Sequence, residues 1–133
     1  MADMGFKVTI ITPERVFYEG DASMVEFNTV DGEIGVLPGH IPLTTVIAPG
    51  ICTISEAEGQ KKAAIHAGLA EILPDKVTLL AEIAEWPDEI DLERARSAED
   101  RARERLAARD ENLDVLRAEA ALKKALVRQD ILA

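Results

Sequence analysis

The chain has 133 residues, 47% of them hydrophobic but only 4% aromatic, which suits one ordinary domain, or a small domain with an appendage, around a modest core. No apolar run approaches the roughly 20 residues that span a bilayer, and the opening Met-Ala-Asp-Met-Gly-Phe-Lys lacks the basic-then-apolar order of a signal peptide, so a soluble cytosolic chain is expected. The net charge of −10 lies wholly in residues 1–90, with 15 acidic and 5 basic side chains against 10 of each in 91–133, which argues against a nucleic-acid partner.

Residues 6–12, Phe-Lys-Val-Thr-Ile-Ile-Thr, are rich in β-branched side chains and stop at Pro13, which predicts a first strand. A second strand region covers Val16 to Val30, and Asp31-Gly32 turns the chain back into Ile34 to Leu37. In Pro38-Gly39-His40-Ile41-Pro42 two prolines forbid a central strand, giving a rigid loop with His40 near its tip. Short strands are expected at Thr44–Ile47, Gly50–Ser55, Lys62–His66, Leu69–Leu73 and Val77–Ile83, separated by turns at Ala48-Pro49-Gly50, Glu58-Gly59 and Pro74-Asp75. Cys52 is alone, which excludes an internal disulfide and a cysteine metal cage; it reads as a small core residue. With no helical period before residue 88, the strands predict an all-β sandwich or flattened barrel rather than βαβ units.

Glu85-Trp86-Pro87-Asp88-Glu89-Ile90-Asp91 is the junction. Pro87 cannot continue a ladder, and Asp88 and Asp91 can each cap a starting helix. Beyond it Leu92, Ala95, Ala98 or Glu99, Ala102 and Leu106 recur at steps of three and four, as do Val115, Ala118, Leu122 and Leu126. The polar turn Arg109 to Asp114, with Asn112 or Asp114 as cap, makes these an antiparallel two-helix hairpin. The expected architecture is therefore a β-sandwich over 1–87 followed by a C-terminal two-helix hairpin over 88–133. The alanine-rich stripes bury little apolar area, so the hairpin should be marginally docked and able to rearrange.

Catalysis finds little support. There is no phosphate loop, no nucleophile elbow and no metal-ligand spacing around His40 or His66. His66, in Ala-Ala-Ile-His-Ala, reads as structural. Asp91 and Arg94 lie three apart on one helical face; they form either a cap with an ion pair or a ligand site. Eight of the ten basic residues beyond 90 are arginine, whose planar fork suits carboxylate or phosphate, which favours the second reading over a merely solvated face.

Thr12-Pro13-Glu14, Tyr18-Glu19-Gly20, Gly32-Glu33-Ile34-Gly35-Val36-Leu37-Pro38-Gly39-His40-Ile41-Pro42-Leu43 and Ile90-Asp91-Leu92-Glu93-Arg94-Ala95 together resemble the epsilon subunit of bacterial F-type ATP synthases, essentially end to end. That resemblance implies a ten-stranded sandwich before the helical hairpin, and a non-catalytic rotor subunit helping to couple proton flow to ATP synthesis. It implies a chain that is monomeric when isolated and peripheral on the cytoplasmic face of the cell membrane. The implied partners are the gamma subunit, the c-subunit ring, and the catalytic alpha and beta subunits, whose ATP hydrolysis the extended tail inhibits. The segment from Glu33 to His40 is the implied contact with gamma or the ring. No cofactor is required, and no metal is implied. ATP, with or without Mg²⁺, is an implied regulatory ligand that holds the hairpin folded. Its pattern maps onto Ile90, Asp91, Arg94 and Ala95, with Glu85 from the sandwich and Arg128 from the second helix. Lys124 stands where ATP-binding members carry a further arginine. The alternative is a purely structural coupling subunit without nucleotide binding.

Overall fold

The computed structural model describes residues 5–133. Eight strands come first: β1 (Phe6–Ile11), β2 (Val16–Ala22), β3 (Met24–Thr29), β4 (Gly32–Val36), β5 (Leu43–Ile47), β6 (Gly50–Glu56), β7 (Gly59–Ile72) and β8 (Lys76–Glu85). A 3₁₀ turn at Pro87–Glu89 leads into helices α1 (Leu92–Ala108) and α2 (Val115–Leu132). One layer of the sandwich runs β2-β1-β8-β7-β5, with β1 parallel to β8; the other is built from β4, β3, β6 and the first half of β7. The sequence treats Val16 to Val30 as one strand region; the chain breaks at Ser23 and feeds both layers.

The resemblance implies ten strands, and among the described residues eight form. Residues 62–66 and 69–73 are expected as separate strands, yet β7 continues through Ala67 and Gly68 and serves both layers: its first half pairs with β6, its second with β5. The ladder with β8 skips Ala67 and resumes at Gly68↔Ala81, so the strand turns without ending. Ala67 (φ 60) and Gly68 (φ 134) are both at positive φ, and they exchange the face each half turns inward. Ala63 and Ile65 point into the core before the kink, and Ala70 and Ile72 after it. β8 lies opposite and changes parity in step, from Val77, Leu79 and Ala81 to Ala84. A Cβ on Gly68 would sit 2.0 Å from the Leu80 carbonyl oxygen, so glycine is required there by space as well as by φ.

The core joins Val8, Ile10, Val25, Phe27, Ile54, Ile72, Val77 and Leu79, all at most 1% exposed. Each such side chain contributes roughly 1.5–3 kcal/mol by leaving water. Cys52 belongs to this core, and burial, with a smaller contribution from Glu26, pushes its thiol up to about 12. Trp86 seals the end of the sandwich by stacking on Phe17, with ring centroids 4.3 Å apart.

The hairpin packs on an alanine seam. Ala95 and Ala102 of α1 and Ala118 and Ala125 of α2 are the buried residues of the two helices. Leu126, expected on that stripe, is only half-buried; Ala125 takes the place because it lies seven residues, two helical turns, beyond Ala118. Asp91 and Asp114 cap the helices by accepting from Arg94 N at 3.1 Å and Arg117 N at 3.0 Å. Among the described residues Asp88 accepts no capping bond; the Glu89 carboxylate closes the preceding 3₁₀ turn on Trp86 N at 2.9 Å. It is α2, rather than α1, that packs on β6 and β7.

Gly68→Ala is expected to destabilise the sandwich by at least about 3 kcal/mol, whereas Gly59→Ala, also at positive φ but with open space at its Cβ, should cost only about 1 kcal/mol. Urea unfolding of the two variants measures the difference.

Candidate functional site

The site forms where β7, β8 and the hairpin meet. Ala64 and His66 alternate with core-facing Ala63 and Ile65, so they point to the outer face of the sandwich, yet both are 0% exposed because α2 packs over β7 there. Beside them β8 ends at Glu85. Its Oε1 accepts from Arg128 Nε of α2 at 2.7 Å and lies 3.3 Å from His66 Nε2. A carboxylate only accepts, so His66 carries its proton on Nε2. Burial raises the Glu85 pKa, but the bonds from His66 and Arg128 outweigh it and hold the carboxyl at about 2.

Glu85, Glu89, Ile90, Asp91, Arg94, Ala95, Ala98, Arg101 and Arg128 line a cleft of about 340 Å³ between the sandwich and the helices. The sequence points to six of these: Glu85, Ile90, Asp91, Arg94, Ala95 and Arg128. Lys124 is not among the lining residues. Glu89 is engaged by Arg15, at 2.8 Å to both oxygens, which holds its carboxyl below the ordinary range. Among the described residues the side chains of Arg94 and Arg101 have no hydrogen-bond or ion-pair partner, and Glu85 Oε2 has no donor. The cleft thus offers two unpaired guanidinium groups opposite a fixed carboxylate, a pairing suited to a ligand with an amino group at one end and anionic oxygens at the other. Arg101, which the sequence analysis does not single out, also lines the cleft. Its spacing carries the signal: it lies seven residues after Arg94 and so shares its helical face. Among the described residues no group of three or more His, Cys, Asp or Glu side chains is placed to hold a metal ion.

Glu33 and His40 lie elsewhere. Glu33 is exposed on β4, and His40 follows a tight turn in which its own N donates to the Leu37 carbonyl at 3.3 Å and Gly39 N donates to the Pro74 carbonyl at 2.8 Å. Leu37 and Ile41 are exposed beside it. A second apolar surface escapes the sequence reading. Val46, Leu69 and Leu80 stand in register across β5, β7 and β8, each 45–49% exposed. The three side chains form a contiguous apolar row on an outer sheet face. Its sequence signature is the consecutive apolar pairs Val46-Ile47, Leu69-Ala70 and Leu79-Leu80, which break strict alternation.

Two family models match the chain. Residues 5–87 match the ATP synthase delta/epsilon chain beta-sandwich domain, and residues 88–131 the ATP synthase delta/epsilon chain long alpha-helix domain. An ATP synthase epsilon chain from Halalkalibacterium halodurans is 46% identical over 93% of this chain and 94% of its own length. One from Caldanaerobacter subterraneus subsp. tengcongensis is 45% identical over 97% and 94%. In solved structures, a chain of the Euglena gracilis mitochondrial ATP synthase (OSCP/F1/c-ring) superposes with a TM-score of 0.87 over 100% of this chain and 84% of that one. At 24% identity it shows the shared fold. A chain of the Tetrahymena thermophila central stalk and c-ring superposes at 0.64, with 12% identity and 96% coverage of both.

The docked hairpin should loosen in acid. Arg128 lowers the Glu85 pKa only while α2 is docked, so its contribution is fully present above about 4.5, the ordinary carboxyl value, and is lost as pH falls towards about 2. An acid titration followed by the emission of Trp86, the sole tryptophan, is expected to show this step, and Glu85→Gln to remove it.

Proposed function

The chain belongs to the delta/epsilon family of ATP synthase subunits, and on that premise we propose that it is a rotor subunit whose helical hairpin reports ATP. It is a non-catalytic subunit of that membrane-associated complex, and no described helix is long and apolar enough to cross a membrane. It sits peripherally on the cytoplasmic face. The Val46-Leu69-Leu80 row binds the gamma subunit, because a rotor part must be fixed by a broad apolar contact rather than by exposed ion pairs. Glu33 on β4 and the turn that leads to His40 meet the c-subunit ring. When the hairpin is released it extends towards the alpha and beta subunits and inhibits hydrolysis.

The observation that carries the regulatory reading is the cleft with Arg94 and Arg101 unpaired opposite Glu85. Nucleotide enters with the adenine amino group on Asp91 or Glu85 Oε2, and with Arg94, Arg101 and Arg128 turned to ribose and phosphates. Because the lining comes from both the sandwich and the two helices, bound ATP stabilises only the docked hairpin and shifts the population towards it. A purely structural subunit is the second reading. It is favoured by one fact: Asp91 and Arg128 already have structural partners, in Arg94 N and Glu85.

Calorimetric titration of ATP into the isolated chain is expected to give saturable binding at or below millimolar concentration, weakened at least about tenfold by Arg94→Ala and by Asp91→Ala. No heat up to millimolar ATP would leave the structural reading. Separately, Leu69→Glu is expected to abolish co-purification with gamma while leaving ATP binding unchanged.

A further inference from the structure

His66 is a fully buried titratable side chain with only one of its ring nitrogens partnered. Its Nε2 faces Glu85 Oε1 at 3.3 Å, while its Nδ1 is buried and has no hydrogen-bond partner among the described residues. An unpaired buried nitrogen costs stability that an apolar side chain of similar size would not incur. The next residue adds a second cost, since Ala67 holds a left-handed φ of 60 where glycine would be unstrained. Both costs fall where β7 passes under α2, at the end of β8 that carries Glu85. The imidazole also points outward from the sandwich, opposite the core-facing Ile65, so it contributes nothing to the sandwich core itself.

We infer that His66 is a positioning residue for the hairpin: its Nε2–H fixes the Glu85 carboxylate in the orientation that receives Arg128 and faces the cleft. Two neighbours define the geometry. Glu85 is on β8; His66↔Ile83 and Ala64↔Glu85 are two positions apart in the ladder, with Ile65↔Ala84 between them, and so share the outer face, where the imidazole reaches diagonally to the carboxylate. Arg128 approaches the same oxygen from α2. Without the imidazole donor, a glutamate at the end of a strand has three free side-chain torsions and no reason to hold Oε1 towards α2. With it, the carboxylate is aimed before α2 arrives, so less freedom is lost on docking. Both glutamates of the cleft have a basic partner, Glu85 in Arg128 and Glu89 in Arg15.

This inference rests on the proposed exchange of the hairpin between docked and released states, and two readouts separate the two ideas. Amide hydrogen exchange along α2 is measured without nucleotide in the full chain, and the Glu85 side-chain carboxyl is titrated by carbon NMR. His66→Leu keeps the bulk and removes the donor; it is expected to speed α2 exchange about tenfold, the size of a lost hydrogen bond to a charged group, with strand exchange unchanged and the Glu85 midpoint raised. His66→Gln, whose amide nitrogen reaches the Nε2 position, should restore both. His66→Asn, equally polar but too short, should not, and it serves in place of the leucine variant if that chain does not fold. A Glu85 midpoint unmoved by His66→Leu, or by His66→Asn where that variant is used, overturns the inference even if α2 exchange changes. A raised midpoint with unaltered α2 exchange keeps His66 as the group that aims Glu85 and instead defeats the two-state hairpin. Failure of His66→Gln to rescue, with the strands still protected, also overturns it.

Discussion

One carboxylate oxygen, Glu85 Oε1, takes hydrogen bonds from both halves of the molecule, and the placement of the hairpin depends on it. Among the described residues the Arg128–Glu85 bond is the one side-chain hydrogen bond that joins the two long helices to the strands. Beneath it α2 covers Ala64 and His66 on the strand side, and the helices' own seam is Ala95, Ala102, Ala118 and Ala125. Alanines allow close approach but remove little apolar area from water. An ion pair that is only partly buried adds modest net energy, because desolvation offsets much of its Coulomb gain. Direction therefore comes from the pair and adhesion from little else, which is the balance a releasable element needs.

The sandwich supplies the rigid side of that contact. The positive-φ pair at Ala67-Gly68 lets β7 and β8 serve both layers and swap the faces they turn inward. The same swap places Ala64 and His66 outward under α2, and presents Leu69 and Leu80 outward on the other layer beside Val46. A single kink thus positions both the hairpin seat and the exposed apolar row. A local strain that organises two sites is easier to hold than two separate strains, since the surrounding ladder of β7 and β8 fixes both sides of it.

Much of this architecture is legible in the amino-acid sequence. The change of period at Asp91, the helix caps, and the strand runs bounded by proline and glycine follow from local backbone chemistry, and local chemistry decides them. The cleft residues are legible through the family resemblance, and Arg94 with Asp91 through helical spacing alone. What the sequence hides has a common cause, which is contact between residues far apart in the chain. Ala67-Gly68 reads as a break between two strands when its partner strand is unknown, yet β7 is one strand. Leu126 outranks Ala125 by hydrophobicity, whereas the seam selects for closeness of approach. His66 reads as structural, in keeping with its burial, but its partner Glu85 lies 19 residues away, and nothing in the sequence says which strand ends meet.

On this view the docked hairpin is one of two states, held by Arg128 on Glu85. Spin labels at Glu58→Cys, on the turn between β6 and β7, and at Asp130→Cys, on the outer side of α2, would measure it directly. Cys52 is buried with its thiol pushed up to about 12, so it stays unlabelled. Electron–electron distance measurement is expected to give a dominant short separation with a minor long one, and Arg128→Gln should make the long separation dominant. A single short separation, unchanged by Arg128→Gln, would contradict the two-state hairpin and make it a fixed part of the fold.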